Sequence, residues 1–128
     1  MMNRFGDRTA AQKLGIVAAT KLAVLNAPRN LDHILGELPV GAEITEGRGA
    51  VTLCFAHSVD ELRSDISSVR ELAAGSKLWI LWSKKGSPGH SGVTEPLVRE
   101  TGIELGLVDY KICSVDSVWS GMLFAKRK

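Results

Sequence analysis

Three near-continuous apolar runs constrain this chain most. They are Leu22-Ala23-Val24-Leu25, Val51-Thr52-Leu53-Cys54-Phe55-Ala56 and Leu78-Trp79-Ile80-Leu81-Trp82. Each is strand-sized, and an apolar run of that length without alternation marks a strand covered on both faces, as in a parallel sheet. Helical patterns lie between them. Leu31, Ile34 and Leu35 share one face of a short helix from Leu31 to Leu35. Ser58-Val59-Asp60-Glu61 matches a capping box, with Ser58 capping the Glu61 amide and Glu61 reaching back. The helix it opens runs to about Ala74, with Leu62, Ile66, Val69, Leu72 and Ala73 as its apolar stripe and Gly75 as its stop. Thr94-Glu95-Pro96 starts another helix, with Thr94 as N-cap and proline in the first turn, where its missing N–H costs little.

The C-terminal end reads differently. Leu107 to Val115 alternates, with Val108, Tyr110 and Ile112 on one face and Asp109 and Lys111 on the other. Asp116-Ser117 makes a turn, and Val118 to Ala125 returns as a final strand, so these two strands are antiparallel. The last strand is apolar on both faces and belongs inside the sheet, whereas its charged partner suits an edge. The outline is an α/β, Rossmann-like fold of methyltransferase-like outline: a mostly parallel sheet flanked by helices, with a C-terminal antiparallel β-hairpin. Toward the N-terminus, Met1 to Arg8 reads as a loose arm before a short helix, Thr9 to Leu14, stopped by Gly15. Ala42 to Thr45 is a weak strand, separated from the next only by Glu46 to Gly49. A parallel crossover usually needs about a dozen residues. Either the link is unusually short or the two strands form a hairpin.

Composition closes off several functions. The 128 residues suit one domain spanning 1–128, and 45% hydrophobic residues supply a core. A formal net charge of +2 argues against nucleic acid as a partner. No apolar run approaches the roughly 18 residues that cross a bilayer, so no membrane partner is expected. The first residues lack a leader pattern, which points to the cytoplasm and to Cys54 and Cys113 as reduced core thiols. His33, His57 and His90 are too widely spaced to suggest a metal site, and no G-x-S-x-G elbow occurs. Lys126-Arg127-Lys128 reads as a solvated tail.

Several stretches, in order along the chain, resemble the bacterial domain of unknown function 3052 family. They are Lys13-Leu14-Gly15-Ile16, Val24-Leu25-Asn26-Ala27-Pro28, Trp82-Ser83-Lys84-Lys85, Ser91-Gly92-Val93, Gly106-Leu107-Val108-Asp109, and Val115-Asp116 followed by Trp119-Ser120-Gly121. The family tends to have proline where Ser83 stands, and Ser87-Pro88-Gly89-His90 has the look of an insertion. The resemblance implies a Rossmann-like fold and brings no activity with it.

A nucleoside cofactor such as S-adenosylmethionine or a nicotinamide dinucleotide needs glycines after the first strand, where backbone approaches the ligand. Here Asn26-Ala27-Pro28 stands at that place, so no cofactor is expected. Glu46, a ribose-binding acid by position, and His57, an acid–base group by position, are weaker candidates together with Asn26. The stronger candidate is the segment from Lys84 to Thr94, which leaves a central strand and feeds a helix N-terminus. Lys84 and Lys85 would supply charge, and Gly92, Val93 and Thr94 would supply N–H donors to an anion. Asp116 and Trp119 begin the hairpin expected at the same edge, with Trp119 as a flat apolar wall. The competing reading is an ordinary solvated loop. Two classes of function follow. One is a ligand-binding or protein-interaction module for a small anionic ligand, with self-association left open. The other is a small enzyme acting on a phosphorylated or carboxylated metabolite.

Overall fold

The computed structural model describes residues 9–64, 66–73, 75–87 and 92–126. The expected arm Met1–Arg8, the helix end at Ala74, His90 and most of the C-terminal tail lie outside them. Among the described residues, six strands form one sheet in the order β2-β1-β3-β4-β6-β5. They are β1 (Lys21–Leu25), β2 (Glu43–Ile44), β3 (Val51–Ala56), β4 (Lys77–Ser83), β5 (Leu107–Ser114) and β6 (Trp119–Lys126). Strands β2, β1, β3 and β4 are mutually parallel, and β6 is inserted antiparallel between β4 and β5. The helices are α1 (Ala10–Lys13), α2 (Leu31–Leu35), α3 (Val59–Ser64), α4 (Ile66–Ala73) and α5 (Glu95–Glu104). The single helix expected after Ser58 is therefore described as two pieces on either side of residue 65.

Each face of the sheet carries its own core. Leu22, Leu53, Phe55, Trp79 and Leu81 pack with Leu14 of the α1 turn and with Leu31, Ile34 and Leu35 of α2. Cys54, Ile80, Trp82 and Met122 pack on the other face with Leu62 of α3, Val69 of α4 and Val98 of α5. Strand alternation sorts these residues, since neighbours along a strand point to opposite faces. The buried Trp79 indole satisfies its one polar atom by donating Nε1–H to the Leu14 carbonyl at 3.0 Å. That bond ties the end of α1 to the centre of the sheet. The cysteines sit on opposite faces of the sheet and are not joined in a disulfide.

The weak second strand pairs parallel with β1 and not with β3, so the hairpin alternative is excluded. The chain passes from one side of β1 to the other within residues 45–50. It does so by closing on the β1 backbone: a Cβ on Gly49 would stand 2.5 Å from the Lys21 carbonyl oxygen. Ala50 N–H then donates to that oxygen at 2.9 Å. A link this short needs glycine at the crossing.

Strand β5 also departs from expectation. A bulge between Asp109 and Lys111 reverses its alternation. Asp109 stands opposite Phe124, but Lys111 stands opposite Leu123 and Ile112 opposite Met122. Val108 and Ile112 therefore face opposite sides, and Tyr110 at the bulge is 72% exposed.

The crossing yields a stability prediction. Gly49→Ala must displace β1 or the link, and urea unfolding is expected to show a loss of about 1–3 kcal/mol, as overpacking against backbone commonly costs. A midpoint equal to wild type would mean that the link has room there.

Candidate functional site

Strand β1 lies between β2 and β3, so the sheet order reverses there. In open α/β sheets, ligands bind outside the carboxyl ends of the strands near such a reversal. Asn26, His57 and Lys84 are the residues that immediately follow β1, β3 and β4. The hairpin turn joins them because β6 runs antiparallel, with Trp119 opposite Ser83 at the end of β4. Asp116 builds that turn: its Oδ1 accepts the N–H of Val118 at 2.8 Å and of Trp119 at 2.7 Å.

A hollow of about 310 Å³ opens on the α5 side of this edge. Trp82, Val93 and Ile112 supply its apolar surface; Lys84, Lys85, Thr94, Glu95 and Ser120 supply its polar surface. Four of the residues expected at an anion site, Lys84, Lys85, Val93 and Thr94, are thus brought together. Thr94 caps the ten-residue α5, its hydroxyl accepting the Leu97 N–H at 3.4 Å. Gly92, at φ +85°, turns the chain into this cap. Glu95 is the one carboxylate on the lining, and Arg99 binds it at 3.0 Å while also reaching Asp109 at 3.2 Å. The hydrogen bonds to Glu95 and then Asp109 raise the Arg99 pKa, so the guanidinium stays charged and offsets Glu95. A larger hollow of about 520 Å³ lies near Lys77, Tyr110 and Ala125, at the opposite end of the parallel strands. The rule for α/β sheets favours the smaller one.

Trp119 does not line the 310 Å³ hollow. Trp82 pairs with Ser120 and Ser83 with Trp119, so alternation sends Trp82 and Ser120 to the hollow and Trp119 to the other face. There Trp119 is only 7% exposed and sets its edge against Phe55 at 5.1 Å and His57 at 5.6 Å between centroids. The apolar wall comes from Trp82 and Ile112 instead. Asp116 is likewise outside the hollow.

His57 has a second tie. One Glu61 oxygen accepts both the His57 N–H at 2.8 Å and a bond with ring Nδ1 at 2.9 Å. Ser58 caps the Glu61 amide at 3.0 Å as expected, but the returning carboxylate passes Ser58 and binds His57. Glu46 follows β2, which pairs only with Lys21 and Leu22 at the start of β1. Counted on from that register, Glu46 falls beside Val24, and the chain turns at Gly47, at φ +81°. It does not stand beyond the strand end where a ribose would lie.

Two residues escaped sequence reasoning. Lys13 Nζ donates to the Ser114 carbonyl at 2.9 Å, and Lys84 Nζ donates to the Ser114 hydroxyl at 2.6 Å. Lys13 and Ser114 are 101 positions apart. Only the packing of α1 on the face that ends in the hairpin could have joined them. Among the described residues, no cluster of His, Cys, Asp and Glu could hold a metal ion, and no helix is long and apolar enough to cross a membrane.

No family model matches this chain, and no curated protein matches it. Solved structures do. A SAM-dependent methyltransferase from Aquifex aeolicus aligns with a TM-score of 0.58 and 12% identity over 88% of this chain and 85% of that one. The 1,6-didemethyltoxoflavin-N1-methyltransferase of Burkholderia thailandensis, solved with its substrate and S-adenosylhomocysteine, aligns with a TM-score of 0.58 and 11% identity over 93% and 75%. CalO1, a methyltransferase of calicheamicin biosynthesis, aligns at 0.60 and 11% over 92% of this chain and 52% of its own. At these identities the likeness shows the fold, a methyltransferase-like Rossmann sheet.

The methyl-donor cofactor implied by that fold does not fit the exit of β1. Asn26 makes the turn at φ +58°, a left-handed conformation that asparagine tolerates, and it places a side chain where a nucleoside site needs bare backbone. Pro28 has no N–H. The helix that follows has five residues, and its N-cap Asn30 makes no side-chain cap bond. Calorimetric titration with S-adenosylmethionine is expected to show no saturable heat at micromolar concentrations; a micromolar dissociation constant would overturn this assignment.

Proposed function

We propose that this chain binds a small molecule carrying an anionic group and an apolar body, in the hollow at the carboxyl end of β4. The observation that carries this reading is the composition of that hollow. The Lys84 and Lys85 ammoniums and the start of α5 meet the apolar surfaces of Trp82 and Ile112 within about 310 Å³. That volume is in the range of small-molecule sites, which are mostly apolar with a few directed polar groups. The positive end of the α5 dipole favours negative charge. The neighbouring methyltransferase solved with 1,6-didemethyltoxoflavin supports a small organic ligand on this fold.

A second reading, an enzyme acting on a phosphorylated or carboxylated metabolite, is favoured by the His57–Glu61 pair. A carboxylate on Nδ1 fixes the tautomer and leaves Nε2 as the proton acceptor, the arrangement used in general-base catalysis. The two readings separate by turnover. Product formed from a panel of phosphate and carboxylate esters, and lost in His57→Asn, would establish the enzyme; binding without turnover leaves the module.

The binding reading is tested by thermal unfolding in phosphate, sulfate and small phosphorylated or carboxylated metabolites against chloride at matched ionic strength. A ligand at 100 times its dissociation constant stabilises by about 2.7 kcal/mol. Lys84→Ala and Lys85→Ala are each expected to lose most of that shift. If chloride protects wild type as well as every other anion, the hollow is not an anion site.

A further inference from the structure

The residues around Ser114 narrow the ligand's chemistry. Lys13 arrives from α1, on one side of the sheet, and Lys84 from the end of β4, beside the hollow. Their ammoniums meet on the carbonyl and hydroxyl oxygens of one residue, at 2.9 Å and 2.6 Å. Two like charges on a shared residue repel, and ordering two long lysine side chains costs rotamer freedom. An anion between them would offset both costs. Among the described residues, neither ammonium has a carboxylate within ion-pair distance. The nearest acidic residue in sequence, Asp116, has its Oδ1 committed to the turn amides of Val118 and Trp119. Ser114 is exposed, so a ligand can reach its hydroxyl.

We propose that Lys13 and Lys84, converging on Ser114 at the tip of β5, hold the phosphoryl group of a small phosphate monoester whose apolar body lies in the adjoining hollow. This rests on the anion-binding reading and narrows it. Two cations and a hydroxyl match a tetrahedral dianion with several acceptor oxygens better than a planar monoanion. The Ser114 hydroxyl, which accepts from Lys84 and donates to the Asp116 carbonyl at a long 3.4 Å, turns to donate to a phosphoryl oxygen instead, and both ammoniums exchange Ser114 for the ligand. No covalent step is involved.

The probes are inorganic phosphate at pH 8, sulfate and acetate, titrated by calorimetry at constant ionic strength. The proteins are wild type, Lys13→Ala, Lys13→Arg, Lys85→Ala and Lys111→Ala, each checked for native circular dichroism. Lys111 is exposed on β5 and lies outside the hollow, so it controls for general charge. Phosphate and sulfate are expected to bind wild type saturably, with acetate weaker. Lys13→Ala is expected to weaken phosphate about tenfold, the effect of one charge-assisted hydrogen bond. Lys13→Arg, which keeps the charge, and Lys111→Ala are expected to stay near wild type. If Lys13→Ala binds phosphate like wild type while Lys85→Ala does not, the two-lysine clamp is wrong and the hollow stands. If phosphate gives wild type no more heat than chloride does, both are wrong.

Discussion

The burial of β6 between β4 and β5 is the constraint on which the site depends. β6 pairs with both neighbours along nearly its whole length. Two glycines make its fit possible. A Cβ on Gly121 would meet the Trp79 ring at 3.1 Å, and one on Gly102 of α5 would meet the Phe124 ring at 2.0 Å. Because β6 runs antiparallel, the turn that leads into it must lie at the carboxyl edge of the parallel strands. Ser114 ends β5, which runs in the direction of the parallel strands, and Trp119 begins β6 at the same edge because β6 returns antiparallel. A parallel sixth strand would have carried Trp119 to the other end of the sheet.

Most of the sheet could be read from the sequence because its strands are buried on both faces. Leu22–Leu25, Val51–Ala56 and Leu78–Trp82 have no polar alternation to confuse, and their caps are local: Thr9 with Gln12, Ser58 with Glu61, Thr94 with Leu97. The features that escaped depend on contacts distant in sequence. Nothing around Tyr110 announces a bulge; it is visible only against the register of β6. The β2–β3 link looked too short because crossover lengths assume an intervening helix, whereas this one folds directly across β1 at Gly49.

The candidate site was half legible for a related reason. The segment from Lys84 to Thr94 is continuous, and continuity brought Lys84, Lys85, Val93 and Thr94 to one hollow. Trp119 was placed at the correct edge, but its face hangs on the pairing register. A shift of one residue exchanges it with Ser120, and that step separates a ligand wall from a core residue packed on Phe55. The expectation for Glu61 failed by a similarly small margin. Its carboxylate extends one residue past the capping partner, which converts a helix cap into an orienting contact for His57.

The departures from a nucleoside-binding sheet share a physical direction. At the exit of β1, where bare backbone is needed, the chain offers the Asn26 side chain and a proline. Beyond β2, where an acid is needed, the chain turns back before the strand end. The first blocks close approach of a ligand to the backbone with a side chain and removes one amide donor at Pro28, and the second takes a carboxylate away from the β1 side of the edge. Positive charge instead collects two strands away, on Lys84 and Lys85 beyond β4, and four strands away, where Lys13 reaches Ser114 at the end of β5. Electrostatic attraction acts over a wider range of geometries than the close backbone approach it replaces. A cationic edge beside an apolar hollow does not depend on a glycine turn, so the anion site proposed here, displaced along the carboxyl edge, is compatible with its loss.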